Sequence, residues 1–371
     1  MSFFKQRVYF GVDAHTLSNL KLRYIDFKKL KSKDNVKRVF QGDVLVEVVD
    51  KETGEIETFS YISITEEGKN RKIGKLMIGA KKMGEGCSNR EYIILDIFVG
   101  DEKGDNTKPL TLKELEQRYI EILDYIDNEY GIRLTMKEAK YNYLEINKTF
   151  SVDRSYREYQ GFLQLLPVLQ HHRFRKNPIT SNNKKDNLID AVVFESGVMR
   201  IKVYNKTRQI KEFKEIEKAD ETLYLRFEVC LCTSDKIKEV FGTNRIDDIT
   251  MEMLEEYFKK IMQEDIFDRF NSFIEVSNKA IVKEAKSLKK GNARTWTRDL
   301  ISNTDTKMYF GKKEVDIIFD MEQVMDYLKA NMRSDNYKNT IKRCKSIIDK
   351  KEHKKNNLLV VQEIKSILLN D

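Results

Sequence analysis

Three short stretches constrain this chain most: LEINKTF (144–150), RIKVYNKT (200–207) and YLRFEV (224–229). A β-strand turns successive side chains to opposite faces, so each stretch can be sorted by parity. In the first, Leu144, Ile146 and Phe150 share one face, and Tyr143, Glu145, Asn147 and Thr149 the other. In the second, Ile201 and Val203 oppose Arg200, Lys202, Tyr204 and Lys206. In the third, Leu225, Phe227 and Val229 oppose Arg226 and Glu228. Each strand thus has one face fit for a core and one that carries chemistry. As neighbours in one sheet they would gather a phenol, lysines, an arginine and carboxylates on one open surface. Such a set can hold a divalent metal against a phosphodiester and attack it. Any half-solvated sheet also shows a polar face, so the strands alone leave a purely structural reading open.

The flanking sequence places these strands in an α+β fold. Residues 5–65 read as strands and turns, with Asp50-Lys-Glu-Thr-Gly-Glu55 joining VLVEVV to IETFSYISI as a hairpin. Residues 91–98 form a further strand. Thr111 and Glu114 make a capping box, the apolar positions 112, 115, 119, 122, 123 and 126 follow the helical period, and Gly131 stops the helix. A helix over 154–170 follows the 141–150 strand, and the polar, basic stretch 171–187 reads as a loop. Strands near 190–195, 198–205 and 223–232 come next. Helical patterns then cover about 250–263, 266–286, 321–332, 337–351 and 358–369. This order suits an antiparallel sheet with helices on one face, which take the apolar strand faces and leave the reactive ones open. A basic helical domain, 236–371, completes the chain after a first domain spanning 1–235.

Charge is spread unevenly. The net charge is +8, and residues 279–371 hold 21 Lys/Arg against 13 Asp/Glu, so the whole excess lies in the last quarter. Clusters stand at Lys286, Lys289 and Lys290, at Lys338–Lys345 and at Lys350–Lys355. A basic segment attached to a neutral body suits a polyanion, with nucleic acid the leading candidate, although a solvated lysine-rich surface gives the same count. The four cysteines match no zinc-ligand spacing. No run of about 18 apolar residues is present, and the N-terminus lacks the apolar core of a signal peptide, so a cytoplasmic location without membrane contact is expected.

The motifs as they stand, Glu145-Ile-Asn147-Lys-Thr149-Phe150, Tyr204-Asn-Lys206 and Leu225-Arg226-Phe227-Glu228, resemble the gene II/X group of rolling-circle replication initiators. That group is found in filamentous phages and in plasmids and mobile elements of bacteria, and belongs to the wider class of HUH-type nicking enzymes. The likeness covers about residues 70–245, and it lies in the order and spacing of the motifs. It implies a five-stranded antiparallel sheet, a divalent metal (Mg2+ or Mn2+) and origin DNA, single-stranded or as a hairpin, as partner. A host helicase and polymerase would be further partners. It implies Tyr204 as a nucleophile that forms a 5′-phosphotyrosyl link, with Lys206 lowering the phenol pKa or stabilising phosphate charge. Glu228, Glu145 and Asn147 would lie on the metal side. Arg200, Lys202 and Arg226, with Arg173, Arg175 and Lys176 of the basic stretch, would contact DNA.

The chain departs from the family pattern where the family has Asp and this sequence has Asn147, and where the family has Arg and this sequence has Glu145. The family's Gly-His-Asn stretch corresponds to Lys75–Lys81, with Ala80 in place of the histidine. His171 and His172 are adjacent, so on a strand they would face opposite ways and make a poor ligand pair. His15 and His353 read as surface residues. Two readings follow: an origin nickase, or an origin-binding protein on the same scaffold without nicking. A relaxase of a conjugative element, using the same chemistry, is a third.

Overall fold

The structure, a computed structural model, describes residues 7–39, 44–67, 71–81, 90–97, 108–152, 156–169, 174–180, 189–213, 223–273, 275, 307–310, 313–316 and 357–370. Among these, one antiparallel sheet of ten strands organises the molecule. One half runs β11 (Arg175–Thr180), β12 (Ile189–Glu195), β13 (Met199–Asn205), β14 (Leu223–Leu231) and β10 (Lys140–Val152). The other continues through β1 (Val8–Ser18), β8 (Arg90–Ile97), β7 (Ile73–Lys81), β6 (Tyr61–Thr65) and β3 (Val36–Val39). The expected five-stranded sheet is therefore half of the observed one. Of the N-terminal strands, β1, β3 and β6 belong to this sheet, and β1 pairs with β10 along its whole length and fuses the halves.

Local chemistry sets several elements as the sequence predicts. Asp50 turns the hairpin between β4 (Val46–Val49) and β5 (Ile56–Phe59) by accepting from the backbone N–H of Glu52 and Thr53, and Gly54 takes φ +71°. Helix α2 (Leu112–Tyr130) has both arms of the Thr111/Glu114 capping box and ends at Gly131 with φ +68°. The stretch read as a loop holds β11. It pairs with β12 as an edge strand, the one place where a residue such as Pro178, which has no N–H to give, is tolerated. A short helix, α4 (Lys206–Phe213), directly follows β13 and had no counterpart in the sequence pattern. Within 236–371 a two-stranded hairpin, Lys307–Phe310 with Lys313–Asp316, lies in the part expected to be helical. The helical patterns at 321–332 and 337–351 and the three lysine clusters fall outside the described residues.

Helices line the apolar face of β10, β14 and β13. Phe162 of α3 (Tyr156–Leu165) lies 6.1 Å from Phe227 and stacks on Phe270 at 5.0 Å, while Phe227 stacks on Phe150 at 5.9 Å. Burying one such ring contributes about 1.5–3 kcal/mol. Phe10 of β1 meets Phe258 of α6 (Met251–Ile261), which continues as a π-helical turn over Met262–Phe267. The final helix, which we number α7 (Asn357–Leu369), returns to α3, where Tyr159 donates to Glu363 at 2.8 Å.

Lys148 sits on this apolar face, between Ile146 and Phe150 in parity, yet is buried. Its ammonium donates to the carbonyls of Leu368 and Asn370 at 3.4 and 3.2 Å. The last carbonyls of a helix lack partners within the helix and carry its negative dipole end, so a cation there is stabilised. The lysine thus holds the end of α7 against the centre of β10.

Candidate functional site

The three strands singled out in the sequence are neighbours, in the order β13, β14, β10. Their register aligns the polar residues in rows. Lys202, Glu228 and Asn147 are directly opposite one another; so are Tyr204, Arg226 and Thr149, and Arg200, Cys230 and Glu145. Directly opposed residues face the same side of a sheet, so the register puts the predicted chemistry on one face.

That face is closed rather than open. Arg226 and Asn147 are 0% exposed, Glu228 2% and Glu145 5%. Strands β10 and β14 are buried on both faces over most of their length, whereas β13 buries one face and leaves Arg200, Lys202 and Tyr204 half-buried. Of the three strands, the exposure expected from period-two alternation holds only at β13.

Buried charges persist when they are paired, and these are. Tyr204 Oη donates to Glu228 Oε1. Lys202 Nζ bridges two carboxylates, 2.9 Å from Glu145 Oε2 and 2.8 Å from Glu228 Oε2. Glu145 Oε2 also accepts from Tyr143 Oη at 2.7 Å and from Cys230 Sγ at 3.4 Å. Arg226 donates through Nη1 to Asp13 Oδ2 at 2.6 Å and through Nε to Thr149 Oγ1 at 2.7 Å, with Nη1 3.7 Å from Glu228 Oε1. Lys206 begins α4 instead of continuing the strand. Its Nζ donates to Gln209 at 2.8 Å and stands 5.8 Å from the centre of the Tyr204 ring.

These surroundings shift the titrations. Burial and the adjacent Glu228 push the Tyr204 phenol well above its usual value, against the opposing pull of Arg226. The neutral phenol is therefore the stable form. Burial and the Arg226 charge lower Lys206 itself to about 8. Burial works against the Lys202 ammonium, but the Glu228 and Glu145 carboxylates outweigh it and raise its pKa. Burial and Glu145 keep the Cys230 thiol neutral.

A metal at this face would draw on Glu145, Glu228 and Cys230, whose ligand atoms lie within 4.8 Å of one another and are buried. As arranged, these residues do not fit a divalent ion. The space between the two carboxylates is filled by Lys202 Nζ, and Glu145 Oε2 has three donors on it. A neutral thiol is also a poor ligand for a hard cation such as Mg2+.

Asp13 is a member of the cluster that the sequence reading missed. A β-bulge in β1, where Asp13 and Ala14 together oppose Glu145, leaves Val12 opposite Ile146 and His15 opposite Leu144. Asp13 is turned toward Arg226, and the extra residue carries His15 to the apolar face. There His15 is buried between Tyr119 and Tyr141, not at the surface, and burial lowers its pKa to about 4. The one available signal was an aspartate within the otherwise apolar stretch YFGVDA. Gly11, opposite Asn147, admits no side chain, because a Cβ there would stand 2.4 Å from Leu110 O.

Other expected residues lie apart. Ala80 is near the far end of β7, opposite Glu91 and separated from β10 by β8 and β1. Arg175 is exposed on β11, in a row with Glu195 and Arg200; Arg200 Nε is ion-paired with Glu195 Oε1 at 2.9 Å. Lys176 turns back to Leu169 O at 2.6 Å. Arg226 lies inside the protein, so it is not a surface contact for DNA. Arg173, His171, His172 and His353 fall outside the described residues.

No protein-family model and no curated protein matches the chain. Among solved structures, a rolling circle replication initiator protein from Geobacillus stearothermophilus aligns with a TM-score of 0.34 and 12% identity, over 69% of this chain and 85% of that one. The di-domain ARO/CYC BexL from the BE-7585A biosynthetic pathway aligns with a TM-score of 0.20 and 8% identity, over 72% of this chain and 97% of that one. Both are faint likenesses of arrangement. The chemical content of the site rests on its own side chains.

Proposed function

We propose that this chain is a DNA strand-nicking and strand-transfer enzyme that initiates rolling-circle replication at an origin, with Tyr204 as its nucleophile. The observation that carries the reading is the hydrogen bond from Tyr204 Oη to Glu228 Oε1, beside Arg226 and Lys202 and with Lys206 near the ring. A nucleophile bonded to a carboxylate, with cations close by, suits attack on a phosphodiester. The Tyr204 oxygen bonds to phosphorus while its proton passes to Glu228. The bond from phosphorus to the 3′-oxygen breaks, and that oxygen takes a proton from the Lys206 ammonium. The products are a 5′-phosphotyrosyl link and a free 3′-OH, which a polymerase extends while a helicase opens the duplex. The strand approaches from β13, where Lys202 keeps 27% of its side chain exposed. The same residues carry the sequence resemblance.

One observation favours a second reading, an origin-binding protein without nicking: the cluster is buried and its ion pairs are satisfied. The two are separated by incubating the full chain with single-stranded candidate-origin DNA, with Mg2+ or Mn2+ and with a chelator, then denaturing. Nicking leaves a covalent protein–DNA adduct that Tyr204→Phe abolishes while DNA affinity stays within a few-fold. Binding without any adduct supports the second reading, and an undiminished adduct in Tyr204→Phe removes Tyr204 from the mechanism.

A further inference from the structure

We infer that the Lys202 ammonium is the resident cation of this site, so that the native chain holds no divalent metal between Glu145 and Glu228. The inference rests on position. Nζ lies 2.9 Å from Glu145 Oε2 and 2.8 Å from Glu228 Oε2. An Mg2+ or Mn2+ ion shared by two carboxylates sits about 2.0–2.2 Å from an oxygen of each, within the volume that Nζ fills. No second cation fits unless the lysine leaves.

Charge supports it. Among the described residues, the carboxylates of the cluster are Asp13, Glu145 and Glu228, and its cations are Lys202, Arg226 and Lys206. The set is balanced when all are ionised, and a divalent ion added to it would leave two positive charges uncompensated inside the protein. Asn147, opposite Glu228, adds a polar group without adding charge.

The same geometry makes Lys202 a positioning residue. It holds the second oxygen of Glu228 while the first accepts the Tyr204 proton. Removing the lysine leaves two neighbouring carboxylates without their shared cation, which is a divalent-metal site. The inference concerns occupancy and does not depend on whether Tyr204 attacks phosphate.

The test is a Mn2+ titration of the full chain, followed by the electron paramagnetic resonance signal of the free ion and by thermal melting, without DNA. Wild type is expected to take up no Mn2+ at these carboxylates and to melt at an unchanged temperature. Lys202→Ala is expected to take up a single Mn2+ and to melt higher with it, because a ligand that binds only the folded state stabilises it. Adding Glu228→Gln to that variant should abolish both effects. If Lys202→Ala does not fold alone, its refolding yield with and without Mn2+ replaces the melt. A wild-type Mn2+ ion that Glu145→Gln and Glu228→Gln each release would overturn the inference. So would a Lys202→Ala chain whose uptake, melting and refolding are all indifferent to the metal.

Discussion

Removing the Arg226 guanidinium should destabilise the protein steeply, and by an amount that depends on pH. The side chain is fully buried and donates to Asp13 at 2.6 Å and Thr149 at 2.7 Å. In Arg226→Met the Asp13 carboxylate loses its cation inside the protein, and breaking one partner of a buried pair costs about 3–5 kcal/mol. The carboxyl can escape by protonating. At pH 7 that costs about 4 kcal/mol, from an ordinary pKa near 3.9 at roughly 1.4 kcal/mol per unit, which agrees with the first figure. The lost bond to Thr149 adds about 1 kcal/mol. A total of about 5 kcal/mol corresponds, at about 2.1 cal/mol/K of unfolding entropy per residue over 371 residues, to a melting temperature lower by roughly 6 °C. At pH 5 protonation of Asp13 costs only about 1.5 kcal/mol, so the deficit should shrink to roughly half. Asp13→Asn in the Arg226→Met background should restore more than half of the loss at pH 7. Thermal or denaturant unfolding of the wild type, Arg226→Met and the double variant at both pH values measures this. A loss of under about 1 kcal/mol, the size of an exposed ion pair, would refute the reasoning, as would a loss equal at both pH values.

Three further outcomes are expected. His15 has a folded pKa of about 4 against 6.5 unfolded, so the unfolded chain binds the extra proton between those values and stability falls as pH drops through that window, by about 3 kcal/mol; His15→Phe should flatten this part of the stability–pH curve. Lys206, with a pKa of about 8, loses its proton as pH rises, so adduct yield should fall through about pH 8, and Lys206→Arg should move that fall to higher pH. Replacing Lys338, Lys342 and Lys345 by glutamine should make the salt dependence of DNA binding shallower, by about 0.7 in log–log slope for each lost phosphate contact on single strands. An unchanged slope would make these charges a solvated surface. Cutting the chain near residue 278 is a poorer test, because it also removes α7 from the sheet.

What the sequence revealed and what it hid follow from the range of the forces involved. The Thr111/Glu114 box, the Asp50 turn and the stop at Gly131 depend on residues within a few positions, and all three form as expected. The three reactive strands also alternate as expected, because parity is a local property. Their burial was not legible, because it depends on partners far along the chain, such as Asp13 of β1, which joins β10 from more than a hundred residues away and meets Arg226. The bulge after Val12 inverted the parity of His15 and aimed Asp13 at Arg226, and nothing in the sequence around Asp13 announces an extra residue. In the alternation Lys148 stands on the apolar side, where a lysine has no partner in its own strand; its partners are the carbonyls at the end of a distant helix.

That late arrival has a consequence in time. Leu368 stands 220 residues after Lys148, so a ribosome working at about 5–20 residues per second delivers the carbonyls that receive the ammonium tens of seconds after β10 has emerged. During that interval β10, β14 and β13 can pair, since all three are already synthesised, but the face they share still lacks α7 and Lys148 has no helix end to meet. The nascent sheet, already covered in part by α3 and α6, therefore waits with a stray cation exposed. The step that closes it is the docking of one helix at the end of the process.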